Sequence, residues 1–260
     1  MGTAINGQTP SGFVINGNTV NGLASLGKII YLKESYIEDG LVIHLDGYIP
    51  PDGLVWQDIS ISENHVTLPA GVTYDAQSKG YVFNGTGRGI SSKILPLTAG
   101  NPEFTVETVY TPSALPSTLM GSCWFGALSY TGNLKTFCVA MDPSLRIFPD
   151  FINVTLSSNA RMTLGQKQSF SFAKSTSPPG ATDNVLVVDN VVRSYTWNSS
   201  SGAFAIPQSQ LYVGQFWPYG GDNRYLKGTI HSIRIYNRKL TLNEQQHNYT
   251  VDAERFGLQI

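Results

Sequence analysis

The sequence predicts an all-β fold: a two-sheet antiparallel sandwich with a short C-terminal helix and an extended N-terminal arm. Three observations carry that expectation. Short runs rich in Val, Ile, Phe and Tyr recur along the chain, punctuated by Gly, Pro, Asn and Asp. Charged residues make up only 13%, while 26 glycines, 14 prolines, 13 tyrosines and 12 phenylalanines supply turns and bulk. A single helical pattern stands at the very end, behind a capping box. At 260 residues the chain can bury one substantial core and carry a small appendage.

The appendage is residues 1–36, and residues 37–260 form the sandwich. In the arm, Gly2, Gly7, Gly12, Gly17, Gly22 and Gly27 recur every five residues, and Ile5, Ile15 and Val20 each precede an Asn-Gly pair. Asn-Gly readily takes positive φ, so each pentad reads as a short extended piece and a turn. Bulky residues are too few there for a separate core. Alone, such a segment is a flexible arm; with a partner it docks or adds strands by edge pairing. Ile5, Phe13, Ile15 and Val20 are its candidate docking residues. A strand over Gly27 to Lys33 links the arm to the sandwich.

In the sandwich, Leu41, Ile43 and Leu45 alternate with Val42 and His44, the pattern of a half-buried strand. Tyr81 to Gly85 reads as a strand entering a tight turn. In the strand from Glu103 to Pro112, Phe104, Val106 and Thr108 point one way, and Thr105, Glu107 and Val109 the other. Residues 122–128 and 135–141 read as a hairpin, followed by short strands at 146–148 and 151–156. Another strand covers 168–173, and 184–189 is half of a hairpin turning at Asp189-Asn190. Leu211 to Gly214 leads into a loop from Gln215 to Tyr225. The closing strand holds Ile230 out of phase with Ile233 and Ile235. A bulge near His231-Ser232 would bring all three to one face. Thr241 and Glu244 form the capping box, Leu242, Gln246, Tyr249, Ala253 and Phe256 share a helical face, and Gly257 is a stop.

Net charge is −1, which leaves no electrostatic footprint for nucleic acid or an anionic membrane. No apolar run approaches the ~20 residues of a membrane helix. Met1 to Asn21 lacks a basic region and an apolar run, so no export leader is expected. Cys123 and Cys138 flank a hairpin turn and could face each other across it. The favoured reading is two small buried side chains.

The closing run, Gly228 to Glu244, reads G-x-I-x-x-I-R-I-Y-N-R-x-L-T-x-x-E. It resembles the closing signature of laminin-G-like, concanavalin-A-like jelly rolls. Gly40 to Asp46, Trp56 to Asp58 with Asn64-His65 and Leu68, Tyr81 to Gly85, Phe104 to Glu107 and Leu211 to Gly214 resemble further motifs of that family. The ending His247-Asn248-Tyr249, then Arg255 to Leu258, looks like domains of bacteriophage structural proteins and gut-bacterial surface proteins. Residues 168–173 depart from the W-x-H-V-A-x-T of relatives. The resemblance spans about 37–258 and none of the arm.

That resemblance implies lectin, glycosidase or purely structural roles, since one fold carries all three. Glycosidase relatives place two carboxylates roughly 5 Å apart. Here Glu103 and Glu107 stand four residues apart on one strand, about 13 Å, with Thr105 between them. No enzyme activity is expected. Sugar recognition calls for exposed aromatics beside amides and carboxylates. Trp217, Tyr219, Asp222, Asn223 and Tyr225 offer that in one loop, and Trp56 is a further candidate. Many relatives bind Ca2+, and Asp46, Asp58 and Asp222 are its candidate ligands. The expected role is a virion surface protein of a phage, made in the host cytoplasm. Its arm would hold it to other virion proteins or to further copies of itself, and its sandwich would bind host-surface glycans. The alternatives are a carbohydrate-binding module of a bacterial surface or secreted protein, and a capsid or tail protein without a ligand.

Overall fold

A computed structural model describes residues 35–98, 103–115, 144–145, 160–176, 183–195, 209–215 and 225–259. It adds the backbone of the strands lying outside those ranges and the side chains of Val139 and Met141. The chain divides into two units, 1–36 and 37–260. In the first, β1 (Phe13–Ile15) pairs antiparallel with β2 (Asn18–Val20), and β3 (Gly22–Ser25) with β4 (Lys28–Tyr31). The β1–β2 register sets two of the docking candidates, Phe13 and Val20, opposite each other, while Ile5 lies outside the described residues.

The second unit is a sandwich of two antiparallel sheets, as its turn-rich, weakly charged sequence predicts. Its strands are β5 (Leu41–Asp46), β6 (Val55–Trp56), β7 (Val66–Thr67), β8 (Val72–Asp75), β9 (Gly80–Asn84), β10 (Gly89–Ile94), β11 (Phe104–Pro112), β12 (Ser122–Ala127), β13 (Phe137–Met141), β14 (Ile147–Phe151), β15 (Val154–Ser158), β16 (Gln168–Lys174), β17 (Val185–Val188), β18 (Val191–Val192), β19 (Tyr195–Ser199), β20 (Gln210–Val213) and β21 (Lys227–Tyr236). Among the described residues one sheet runs β18-β17-β16-β11-β21-β9-β8, with β5 also on β21, and the other β19-β15-β14-β13-β12-β20-β10-β7-β6. Asp189 and Asn190 both take positive φ, 48° and 61°, and turn β17 into β18. The β12–β13 register opposes Cys123 to Ala140 and Cys138 to Gly126, so the two cysteines do not face each other.

The long strand β21 organises the first sheet. One edge pairs with β11 throughout; the other is shared by β9 along its first half and β5 along its second. Opposite β11 the register skips His231: Val109 faces Ser232 and Tyr110 faces Ile230. That bulge is the one the sequence predicts, and it turns Ile230, Ile233 and Ile235 alike into the core with Phe104, Val106, Tyr110, Phe170 and Phe172. The bulged carbonyl of His231 accepts from Gly47 N at 2.7 Å. A side chain at Gly47 would meet Lys79 O at 2.3 Å, which is why glycine stands there.

Helix α1 (Leu242–Phe256) covers the outer face of this sheet. Thr241 accepts from Glu244 N, the Glu244 carboxylate accepts in return from Thr241 N, and Gly257 closes the helix at φ 71°. The helix buries the C-terminal part of the predicted stripe, Tyr249, Ala253 and Phe256, together with a polar row beside it. Leu242 and Gln246 are half-buried, while Gln245, Asn248, Tyr249, Asp252, Ala253 and Phe256 face inward. The reason lies in the sheet. β11 and β21 present Glu107 and Arg234 outward side by side, so the stripe above them is polar. Arg234 donates to Glu107, Asp252 and Ser232, Asn248 donates to Glu107 and the Tyr236 hydroxyl, and the Ser171 hydroxyl lies between Glu107 Oε1 and Gln245 Oε1 at 3.1 and 2.8 Å. Tyr249, Ala253, Phe256, Leu258 and Val109 seal one side of this network with apolar contact.

Candidate functional site

The outer face of the second sheet is the place to look, because the described helix occupies only the first. Strand parity decides what that face presents. Leu211 and Val213 of β20 point into the core, so Tyr212 points out. Tyr212 lies between Ile90 of β10 and Gly126 of β12 in the register, and the row continues through Cys138 and Asp150 to Thr155 and Asn198. Gly126, the register partner of Tyr212 on β12, has no side chain.

Arg88 reaches the same ring from the other side. The turn before it is fixed by Asn84, whose Oδ1 accepts from Thr86 N at 3.1 Å, and by Gly85 at φ 90°. Gly87 approaches Pro69 so closely that a Cβ there would come within 2.7 Å of it. The Arg88 guanidinium carbon lies 4.7 Å from the centroid of Tyr212, and Nη1 donates to Gln215 Oε1 at 2.7 Å. Gln215 itself is buried and forms a bridge to Tyr225, and Leu226 N donates to Gly214 O at 2.8 Å. These contacts close the stem of the 216–224 loop. Of the aromatic-rich loop predicted to hold sugar, Trp217, Tyr219, Asp222 and Asn223 lie outside the described residues. Tyr225 stands half-buried at the stem, next to Gln215 and hence to Arg88. Sequence reasoning passed over Arg88 and Tyr212. The alternation of Leu211, Tyr212 and Val213 would have turned Tyr212 outward, but nothing local ties it to Arg88.

Two other expectations are corrected. Trp56 offers no platform: it is fully buried, stacks on Tyr81 at 4.0 Å and donates to Asp46 O at 3.2 Å. The Asp58 carboxylate is saturated by donors. Oδ1 accepts from His44 N and Ser60 N at 2.8 and 2.9 Å, and Oδ2 from Ser60 Oγ and Asn64 N at 2.9 and 2.8 Å. Four N–H and O–H donors on one carboxylate leave it no lone pair for a cation. Asp46 is likewise occupied, by Tyr48 N and by Arg255. Asp222 is outside the described residues, and among those described no group of three or more His, Cys, Asp or Glu could hold a metal. The Trp56 to Leu68 motif is therefore structural. Asn64, fully buried, accepts from Lys93 N at 2.7 Å and pins the loop to β10.

Glu103, just before β11, and Glu107 within it do not come together as a catalytic dyad. Glu103 is exposed, and Glu107 is sealed beneath the helix, where burial lifts its carboxyl above the ordinary range against the pull of Arg234. His44 and His231 are buried and held neutral, their pKa values pushed down to about 3 and about 4, chiefly by desolvation. Among the described residues no helix is long and apolar enough to cross a membrane.

No family model and no curated protein matches the chain. Solved structures do. A Trypanosoma rangeli sialidase in complex with sialic acid superposes with a TM-score of 0.59 at 18% identity, over 84% of this chain and 33% of the sialidase. Domain 4 of a GH43 extracellular arabinanase from Geobacillus stearothermophilus, in complex with arabinotriose, superposes with a TM-score of 0.56 at 15% identity, over 81% of this chain and 98% of that one. The binding domain of Paraclostridial Mosquitocidal Protein 1 gives a TM-score of 0.55 at 12% identity, over 82% and 52% of the two chains. The chain thus spans about a third of the sialidase's length. At these identities the likeness is one of fold.

Proposed function

We propose that residues 37–260 are a non-catalytic carbohydrate-binding domain, with residues 1–36 as the attachment arm. The observation that carries this reading is the Arg88–Tyr212 contact on the outer face of the second sheet, joined through Gln215 to Tyr225. A pyranose stacks its C–H face on an aromatic ring, and fixed donors beside the ring read its hydroxyls. The arabinanase domain that the sandwich matches along almost its whole length is itself in complex with arabinotriose, which supports the same reading. The burial of Glu107 favours binding over hydrolysis.

A shallow single site of this kind binds weakly; a Kd of about 1 mM corresponds to only about −4.1 kcal/mol. Several copies on one particle raise the avidity by orders of magnitude. That is the use of a virion surface context, which the phage-like closing motif suggests, with the arm hairpins engaging other virion proteins or further copies of the chain. A multimerised form of the protein on a glycan panel tests the binding claim. Retention of a defined saccharide class is expected, and no retention of any saccharide would overturn it. Co-purification with a virus particle tests the context separately.

A further inference from the structure

We infer that the site on the outer face of the second sheet takes acidic saccharides, with Arg88 reading the sugar carboxylate; this rests on the carbohydrate-binding reading above. Arg234, Arg238 and Arg255 each pair with a carboxylate: Glu107 and Asp252, Asp39 and Glu244, and Asp46. Among the described residues Arg88 touches neutral groups, the Tyr212 ring and the Gln215 amide. It forms no ion pair with a described carboxylate, and its Nε and Nη2 carry no hydrogen-bond partner among the described residues.

A guanidinium has five N–H donors in a planar fork, and a carboxylate takes two of them side by side. The contact with the Tyr212 ring and the bond from Nη1 to buried Gln215 hold the Arg88 guanidinium at two points. Holding a long side chain in one geometry normally costs rotamer entropy on binding, and here the fold has already fixed it. The edge bearing Nε and Nη2 is left for a ligand. Arg88 comes from the β10 side of Tyr212, while on the β12 side the register partner is Gly126. A sugar ring can therefore lie along the Gly126 flank and extend its carboxylate toward the guanidinium. A neutral sugar would gain the stacking and forgo the charge-assisted pair.

The full-length chain is titrated with an oligouronate and with its methyl ester, which keeps the ring and removes the charge. The acid is expected to bind about tenfold more tightly than the ester. That margin should shrink as salt rises from about 0.05 to about 0.5 M. Arg88→Gln is expected to abolish the margin by weakening acid binding far more than ester binding, and to unfold at the wild-type temperature; Arg88→Lys is expected to keep part of the margin. Equal affinity of the wild type for acid and ester, or an equal loss of both in Arg88→Gln, would overturn the inference while leaving the carbohydrate reading intact. A multimerised protein that retains neither form nor any other saccharide overturns both.

Discussion

Arg234 of β21 reaches Asp252 of α1 through two hydrogen bonds, Nη1 to Oδ1 at 2.9 Å and Nη2 to Oδ2 at 2.5 Å. Its Nε donates to Glu107 on the neighbouring strand at 3.0 Å, and all three side chains are buried. The helix is thus fastened to the sheet by a desolvated fork rather than by apolar contact alone. Such a pair adds little over well-packed hydrophobes, but breaking it leaves a charge stranded.

Asp252→Ala should therefore destabilise the protein by about 3–5 kcal/mol, read from urea unfolding. Joint replacement by Arg234→Met, Asp252→Leu and Glu107→Gln should recover most of that loss, since no buried charge is then unpaired. A loss below about 1 kcal/mol for the single variant would show that water reaches the fork.

Trp56 is a core residue, and its substitution should behave as one. Trp56→Ala empties the space against Tyr81 and should cost about 3–5 kcal/mol. Trp56→Phe should cost less, losing the stacking area and the bond to Asp46 O. Saccharide affinity of the folded Trp56→Phe protein should match wild type. A selective loss of binding at wild-type stability would return Trp56 to the site.

His231 makes stability fall with acid. In the fold its ring contacts Lys79 O and Thr111 Oγ1, and Lys167 disfavours its charge while Asp75 favours it. Its pKa is pushed from 6.5 to about 4, so the unfolded chain binds the extra proton between those values. The stability it contributes is complete above pH 6.5 and is lost as pH falls toward 4, in total about 3 kcal/mol. Glu107 acts in the opposite sense, because its raised carboxyl favours the fold at lower pH. The His231 share is read as the difference in slope between wild type and His231→Gln. In NMR titrations its imidazole resonances should stay put down to about pH 5.

The closing strand and helix cap were legible because their signals are local. The phase slip between Ile230 and Ile233 spans three residues, and so does the Thr241–Glu244 box. The polar underside of the helix was not legible. It depends on β11 and β21 pairing Glu107 with Arg234, residues whose partnership only the sheet register creates. Exposure fails in the same way. Trp56 reads as a loop aromatic and Tyr212 as one in a short strand, yet Tyr81 stacks on the first, and Gly126 stands opposite the second. The Arg88 to Gln215 bond joins a turn and a loop stem 127 residues apart.

Gly214 joins the core to that stem, so its substitution should affect both. Its φ is 84°, a conformation that costs an L-residue about 1–3 kcal/mol, and an added Cβ would lie 2.5 Å from Phe83 Cδ1 and Cε1. Phe83 is buried in the core, so its ring cannot swing clear without displacing neighbours. Gly53 is the control: its φ is 60°, but nothing lies within 4 Å of a Cβ built there. Gly53→Ala should cost about 1 kcal/mol and Gly214→Ala at least about 2 kcal/mol more, both measured by thermal unfolding. Gly214→Ala should also weaken saccharide binding, because the carbonyl that Leu226 N bonds and the adjoining Gln215 both move with it. Equal costs at the two glycines would mean that the Phe83 ring yields, and that the loop stem is not set by the core beneath it.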